Sequence, residues 1–371
     1  MPATEMRLSL MVMESRHLPR FRLLLIGAWA AAVLTACSPD ASPDGDPGLP
    51  PAASSAASIS ASIAPAAPTP APFRYPLTGL GSETEMLTRP YMVMVENAPQ
   101  ARPQSGLQQA DIVFEILAEG EITRFVSVFQ SQPAEIIGPV RSIRPYFVEL
   151  GEMLDAVIVH AGWSQDAMNL LQSHKLNHLD QVYGDQAFYW RATDRKAPHN
   201  LYTSTAKIAE GAEARKFRKE WKQKGLLFAA PTGASPAASS SAGTAAPATR
   251  VQIPYIRGYV VSYDYDTSKG TYLRSMDGQP HTDKESGSQL HTRNLLVLET
   301  KHAVLDKEGR RSVNVTGPDK GTLIQEGKAL EVTWRQKDGM LRVYAGDLEV
   351  PLLPGNTWVQ VVPEGTALQI E

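Results

Sequence analysis

Residues able to bind an anion or transfer a proton follow three apolar runs in the first half of the chain. They are Glu96 and Asn97, then Arg141, Ser142 and Arg144, and then His160. Ligands in α/β sheets bind beyond the carboxyl ends of strands. The pattern therefore predicts a site in which arginines hold an anionic group and His160 is the candidate catalytic acid or base. Strand ends are also polar because loops are solvated, and the sequence leaves that alternative open.

A second concentration of reactive side chains lies in the segment 188–202, which is rich in aromatic and charged residues and lacks a regular period. Its candidate ligand-binding residues are His199 and Asn200. Loops rich in Trp, Arg and His are common in recognition surfaces. The same residues also fit a loop held together by its own hydrogen bonds, so both interpretations stand.

A helix start lies beside the predicted site. Gly162-Trp163-Ser164 precedes an apolar helical pattern, which places Ser164 at the N-cap. Free backbone N–H groups at such a start would suit an anion held by Arg141 and Arg144.

Signals for other chemistry are weak. No Gly-x-Ser-x-Gly motif occurs in the region predicted to fold. Glu115 and Glu119 would lie about 13 Å apart on a continuous strand, and they fit a glycosidase pair only if the chain turns at Glu119-Gly120. The favoured interpretation is that both are surface or salt-bridged acids, with Arg124 as a candidate partner. His174 and His178 have no third ligand beside them. We predict no metal and no cofactor.

The elements that must position these residues alternate between strand and helix over residues 73–230. The spacing between 111 and 137 leaves no room for helices, so we expect an α+β or α/β domain with a mixed sheet. The basic segment 215–224 is predicted to continue the last helix, with Phe217 and Trp221 on one face. Strands are predicted at 91–95, 112–116, 125–129, 135–137 and 156–160, and helices at 146–154, 165–173 and 205–224.

Residues 250–371 have a different pattern. Alternating apolar runs are separated by turn pairs such as Asp277-Gly278 and Asp338-Gly339, which predicts a β-rich domain. The Ala-, Ser- and Pro-rich segment 231–249 is predicted to be a linker or insertion between the two domains.

The N-terminal region carries a localisation signal. Arginines precede the apolar run 23–33, and Leu34-Thr35-Ala36 precedes Cys37, the only cysteine. This order resembles the bacterial lipoprotein signal, or lipobox. The resemblance implies removal of residues 1–36 and a lipid on Cys37 that holds the protein on the outer face of the cell membrane. Residues 37–72 are predicted to be a disordered tether.

Composition limits the remaining functions. A formal net charge of −3 provides no basic surface for nucleic acid. A single cysteine allows no internal disulfide, so the folded part must be stabilised by its cores.

Longer motifs resemble the YerB-like family of bacterial lipoproteins. They are 89–97, 101–107, 110–115, 122–125, 138–146 and 196–202 in the first domain, and 263–266, 272–274 and 354–358 in the second. The resemblance runs from about residue 73 to the C-terminus. It implies a lipoprotein with two domains of unknown function, and it implies no catalytic residue or cofactor.

Two functions follow from these signals. The first is a membrane-anchored binding or scaffold protein whose partner is a wall saccharide, another anionic wall component or an envelope protein. The alternative is an envelope hydrolase or transferase in which His160 is the acid or base and Arg141 and Arg144 hold the substrate. Whether these three residues converge with His199 in one place separates the two hypotheses.

Overall fold

The computed structural model describes residues 71–230, 245–256 and 258–371. The predicted signal peptide, Cys37 and nearly all of the predicted tether lie outside the described residues, as does most of the segment 231–249. Within the described ranges, no helix is long and apolar enough to cross a membrane.

The first part of the described chain combines helices with strands. Its helices are α1 (Pro145–Met153), α2 (Gln165–Ser173) and α3 (Thr205–Ala214), and its strands are β1 (Phe73–Arg74), β2 (Gly81–Ser82), β3 (Tyr91–Glu96), β4 (Ile112–Leu117), β5 (Thr123–Phe129), β6 (Val157–His160), β7 (His178–Asp180), β8 (Trp190–Arg191) and β9 (Leu201–Tyr202). The segment 135–137, predicted as a strand, makes only an isolated bridge from Ile137 to Thr203.

Helix α3 ends ten residues before its predicted end. Lys216 has a φ of 57°, which the right-handed helix does not allow. Farther along, Trp221 is 8% exposed and donates its backbone N–H to the carbonyl of Leu87 at 2.8 Å. The prediction of an amphipathic helix over 215–224 is wrong, because burying Trp221 against an extended segment takes precedence over the helical pattern.

The second part of the described chain is built from strands. They are β10 (Ala246–Pro247), β11 (Arg250–Ile256), β12 (Tyr259–Asp266), β13 (Thr271–Met276), β14 (Gln279–Pro280), β15 (His291–Thr292), β16 (Asn294–Thr300), β17 (His302–Val304), β18 (Arg311–Val313), β19 (Asp319–Gln325), β20 (Lys328–Lys337), β21 (Met340–Ala345), β22 (Leu348–Glu349), β23 (Thr357–Pro363) and β24 (Gln369–Ile370). The described end of the segment 231–249 contributes β10, which pairs with β20.

Two sheets dominate the described fold. A twelve-stranded sheet has the order β22-β21-β20-β19-β16-β23-β4-β5-β3-β6-β7 with β10 on β20, and a six-stranded sheet has the order β14-β13-β12-β11-β24 with β15 on β13. Strand β23 pairs in parallel with β16 on one side and with β4 on the other. The mixed sheet of the first part and the β-rich character of the second confirm the predicted fold class, and the long sheet continues through both parts.

Alternation along the strands of the long sheet builds a core on each face. Met92 and Met94 of β3 pack in the core that contains α1 and α2. Val93 and Val95 of the same strand pack in the core that contains β11, β12 and β13. Because both faces of β3 are covered, its carboxyl end is held rigidly, and the residues that follow it are fixed in place.

Candidate functional site

The carboxyl ends of β3, β6 and β7 lie side by side, because these three strands are parallel neighbours. Glu96 ends β3, His160 ends β6 and Asp180 ends β7. This edge is where α/β sheets bind ligands, and it is the edge at which the sequence pattern predicts a site.

Glu96 contacts an arginine and a histidine at this edge. Its Oε1 lies 3.1 Å from Nε of Arg141, and its Oε2 lies 3.0 Å from Nδ1 of His199. The carboxylate is 4% exposed, whereas the side chains of Arg141 and His199 are 31% and 24% exposed. We call these three residues the Glu96 cluster. A buried carboxylate thus orients two partly exposed donors.

The outward atoms of the Glu96 cluster are available for a ligand. Among the described residues, no protein group hydrogen-bonds to the terminal guanidinium nitrogens of Arg141 or to Nε2 of His199. A guanidinium fork and an imidazole N–H are suited to an oxyanion. The cluster can therefore bind a phosphate or carboxylate without breaking its internal contacts.

Three segments meet around Arg141 and fix its backbone. Its N–H donates to the carbonyl of Met94 at 2.9 Å, and its own carbonyl accepts from the N–H of Ala161 at 3.0 Å. The preceding Val140 donates to the carbonyl of Leu201 at 2.7 Å. Arg141 is consequently tied to the ends of β3 and β6 and to the start of β9.

The loop that presents His199 is held by its own polar residues. Asn200 donates from Nδ2 to the carbonyls of Ala192 and Arg195, at 2.8 and 3.2 Å. Arg195 donates to the carbonyls of Ala101 and Pro103, each at 2.7 Å. The structure thus places Asn200, a predicted ligand-binding residue, in a loop-stabilising position beside His199.

Two further arginines, Arg124 and Arg144, lie near Arg141. Arg124 and Arg144 both contact the carboxylate of Glu119, and the Arg124 distance is 3.3 Å. Burial lowers the pKa of Arg124, and the neighbouring Arg144 lowers it further. Arg124 also donates to the carbonyl of Ser142 at 2.7 Å. This hydrogen bond from Arg124 stabilises the backbone next to Arg141. Ser142, a predicted ligand-binding residue, contributes its carbonyl to it.

His160 lies in the interior, apart from the Glu96 cluster. Its side chain is fully buried, Nδ1 lies 3.0 Å from the carbonyl of Gly162, and Nε2 lies 3.1 Å from Nδ1 of His178. Burial lowers the pKa of His160 to about 4. Both ring nitrogens of His160 are engaged and its side chain has no exposed surface, whereas His199 shares the carboxylate of Glu96 with Arg141.

Asn97 belongs to a buried polar network that the sequence analysis did not identify. Its Nδ2 donates to Thr123 at 2.7 Å and to the hydroxyl of Tyr259 at 2.8 Å. Glu115, also in the network, forms a fully buried ion pair of 2.7 Å with Arg274. This pair joins β4 to β13 and therefore links the two parts of the chain.

The buried network extends around Arg274. The guanidinium donates to the hydroxyl of Tyr263 at 2.7 Å and to Nδ1 of His281 at 2.9 Å. Burial and the neighbouring Arg274 lower the pKa of His281 well below its usual value. Alternation along β13 places Arg274 on the same face as the buried residues Tyr272 and Met276. This pattern in the sequence is the signal that indicates a buried position for Arg274.

The structure also shows the partners of Glu115 and Glu119. Both glutamates are salt-bridged acids: Glu119 pairs with Arg124, and Glu115 pairs with Arg274. Within the described ranges, no group of three His, Cys, Asp or Glu residues could hold a metal ion.

Comparisons with known proteins agree with this architecture. Two family models match, described as protein of unknown function (DUF3048) N-terminal domain over residues 77–218 and C-terminal domain over residues 251–359. A Bacillus subtilis (strain 168) protein named "Putative lipoprotein YerB" is 39% identical over 299 residues, which cover 80% of this chain and 88% of the relative. The crystal structure of YerB protein from Bacillus subtilis matches with a TM-score of 0.72 and 38% identity, over 81% of this chain and 99% of that chain. The chain belongs to the YerB-like lipoprotein family, with the N- and C-terminal DUF3048 domains in one polypeptide.

Proposed function

We propose that this lipoprotein is anchored through Cys37 to the outer face of the cell membrane and binds an anionic group of an envelope polymer. The observation that carries the proposal is the Glu96 cluster, in which one buried carboxylate contacts two partly exposed side chains, Arg141 and His199. The bound polymer would be a wall component, and the protein itself would be a binding protein.

Electrostatics supports an anion as the ligand. Glu96 neutralises the charge of Arg141. Glu119 contacts both Arg124 and Arg144 but can neutralise the charge of only one of them. One arginine charge among Arg124, Arg141 and Arg144 therefore has no carboxylate of its own, and Arg124 and Arg141 are close enough for their charges to interact. Because the site is partly buried, an ion pair there is screened less than one on an open surface.

Calorimetric titration of the mature chain, residues 37–371 with Cys37→Ser, tests the proposal with inorganic phosphate and with purified anionic wall polymer. Arg141→Ala should weaken binding about 10- to 100-fold, since a charge-assisted hydrogen bond contributes about 1.5–3 kcal/mol. Arg250→Ala is the matched control, because Arg250 is a solvent-exposed arginine paired with Asp264 on β12. Saturable binding that Arg141→Ala leaves unchanged would remove the Glu96 cluster from the proposal.

The anchor is tested separately. Mass spectrometry of the wild-type protein from the membrane fraction should detect diacylglycerol on Cys37 and an N-terminus at that residue, and the Cys37→Ser variant of the unprocessed chain should show neither. A wild-type protein that fractionates with the membrane while Cys37 carries no lipid would refute the predicted anchor.

A hydrolase or transferase is the second candidate, and one observation favours it. Glu96 engages Nδ1 of His199, whose side chain is partly exposed, and the same carboxylate contacts Arg141. A carboxylate that orients a histidine in this way is a common arrangement for a general base. Release of fragments from wall polymer that is lost in His199→Asn but retained in His160→Gln would support the enzyme. No release would leave binding as the function.

A further inference from the structure

An aromatic pair lies on the same sheet edge as the Glu96 cluster. Trp163 follows β6 and Tyr183 follows β7, and their ring centroids are 5.2 Å apart. The side chain of Tyr183 is 64% exposed, the largest exposure among the exposed large apolar side chains of the described residues, and the adjacent Val182 is 46% exposed. Single exposed apolar residues are ordinary, but a contiguous exposed group often marks a binding surface.

Local pairing holds this aromatic pair close to Arg141. The segment 161–163 runs parallel to 141–143, with a bridge between Ile143 and Trp163. The N–H of Ile143 donates to the carbonyl of Gly162 at 3.0 Å. With neighbouring strands about 4.8 Å apart and a rise of about 3.3 Å per residue, the Cα atoms of Arg141 and Trp163 are roughly 8 Å apart.

We propose that Trp163 and Tyr183 form a subsite that stacks against a sugar ring, and that the ligand is therefore a saccharide carrying a phosphate or carboxylate. This inference rests on the proposed function, since the Glu96 cluster holds the anionic group. A pyranose ring presents a flat C–H face that packs on an aromatic face, while its hydroxyl groups remain solvated. The adjacent cations favour a charged saccharide over a neutral apolar partner, because their charge complements an anion.

Packing holds the two aromatic rings of this subsite in place. Trp163 packs against the core that contains α1 and α2, so its ring is fixed, and Tyr183 lies against it with an interplanar angle of 33°. A fixed aromatic surface loses little conformational entropy when it binds a ring. The aromatic pair therefore contributes affinity for the sugar, and the Glu96 cluster contributes affinity for its charged group.

Two phosphate esters of similar charge separate these contributions: N-acetylglucosamine 6-phosphate, which has a pyranose ring, and glycerol 3-phosphate, which has none. Their dissociation constants for the mature chain with Cys37→Ser are measured by ligand-observed NMR titration. The sugar phosphate should bind about five- to tenfold more tightly, the contribution expected from one aromatic contact.

The variants then assign the difference to residues. Tyr183→Ala should lower the affinity for the sugar phosphate to that for glycerol 3-phosphate and leave the latter unchanged, whereas Tyr183→Phe, which keeps the ring, should bind both as the wild type does. Phe73→Ala removes another exposed aromatic ring, 41% exposed on β1, and should change neither affinity.

The outcomes distinguish the subsite from the proposed function. If both probes bind with equal affinity and Arg141→Ala weakens both, the sugar subsite is refuted and the anion site stands. If neither probe binds the wild type, the proposed function and the subsite both fail. If Tyr183→Ala leaves the preference for the sugar phosphate intact but reduces cosedimentation with phosphatidylglycerol vesicles, the aromatic pair is a membrane contact and the inference is overturned.

Discussion

Replacing Arg274 with methionine should remove a large fraction of the stability of this fold. Arg274 and Glu115 form an ion pair of 2.7 Å in which neither side chain is exposed. The substitution leaves the carboxylate of Glu115 buried with its remaining donors, the hydroxyls of Tyr259 at 2.6 Å and Thr123 at 2.8 Å and Nδ2 of Asn97 at 3.3 Å. Removing one partner of a buried pair costs about 3–5 kcal/mol, against a total stability of about 5–15 kcal/mol for a typical domain.

The assay is urea unfolding at pH 7 of the mature chain with Cys37→Ser, followed by tryptophan fluorescence and far-UV circular dichroism. Arg250→Met is the control, because Arg250 and Asp264 form a pair of similar length, 3.0 Å, whose side chains are both 44% exposed. That pair should contribute at most about 1 kcal/mol. Both probes should report one transition, since Arg274 lies on β13 and Glu115 on β4.

A double variant sharpens the test. Glu115→Leu combined with Arg274→Met removes both charges, so its cost should fall below the sum of the two single costs by about 1–3 kcal/mol. If Arg274→Met lowers the free energy of unfolding no more than Arg250→Met does, the buried pair does not stabilise the junction as the geometry indicates.

Two further predictions concern the sheet edge that carries the site. The pKa of His160 in the folded protein is lowered from 6.5 to about 4, chiefly by burial. As the pH drops from 6.5 toward 4, the unfolded chain binds a proton at this histidine and the folded protein does not, so the stability of the fold decreases. Between pH 7 and 5 the wild type should lose about 2 kcal/mol more than His160→Gln in urea titrations, and parallel losses would contradict this assignment. Gly138 has a φ of 150°, and a Cβ there would lie 2.7 Å from the carbonyl oxygen of Leu201, so Gly138→Ala should destabilise the fold by about 1–3 kcal/mol and weaken phosphate binding at Arg141. Gly278→Ala, with a φ of 75° and open space around the added Cβ, controls for backbone strain alone, and an equal effect of the two substitutions on unfolding would contradict the steric argument.

Local sequence patterns predict the N-cap of α2 and the bounds of α1 and α2. The predicted N-cap at Ser164 is present, since its side chain accepts from the N–H of Ala167. The predicted helices 146–154 and 165–173 correspond to α1 and α2 within one residue. These elements depend on neighbouring residues, and a periodic apolar face is sufficient to specify them.

Features that depend on distant partners were not predictable in this way. The buried position of His160 depends on β7 and on Gly162, and the end of α3 depends on the contact between Trp221 and Leu87. The partnership of Glu115 with Arg274 joins residues 159 apart. For the candidate site, the residue types near strand ends predict Glu96, Arg141 and His160, whereas the burial of His160 and the contact of His199 with Glu96 are visible only in the structure.

The pairing of β4 with β23 constrains the order in which the chain can complete its fold. Ile112 lies opposite Thr357, so the strand that covers this edge of β4 is synthesised about 245 residues later. At about 5–20 residues per second, that delay is roughly 10–50 s. Throughout this interval β4 presents unpaired backbone groups that could join a strand of another nascent chain. The long sheet can therefore close only after β23 has been synthesised, and until then β4 is an edge strand.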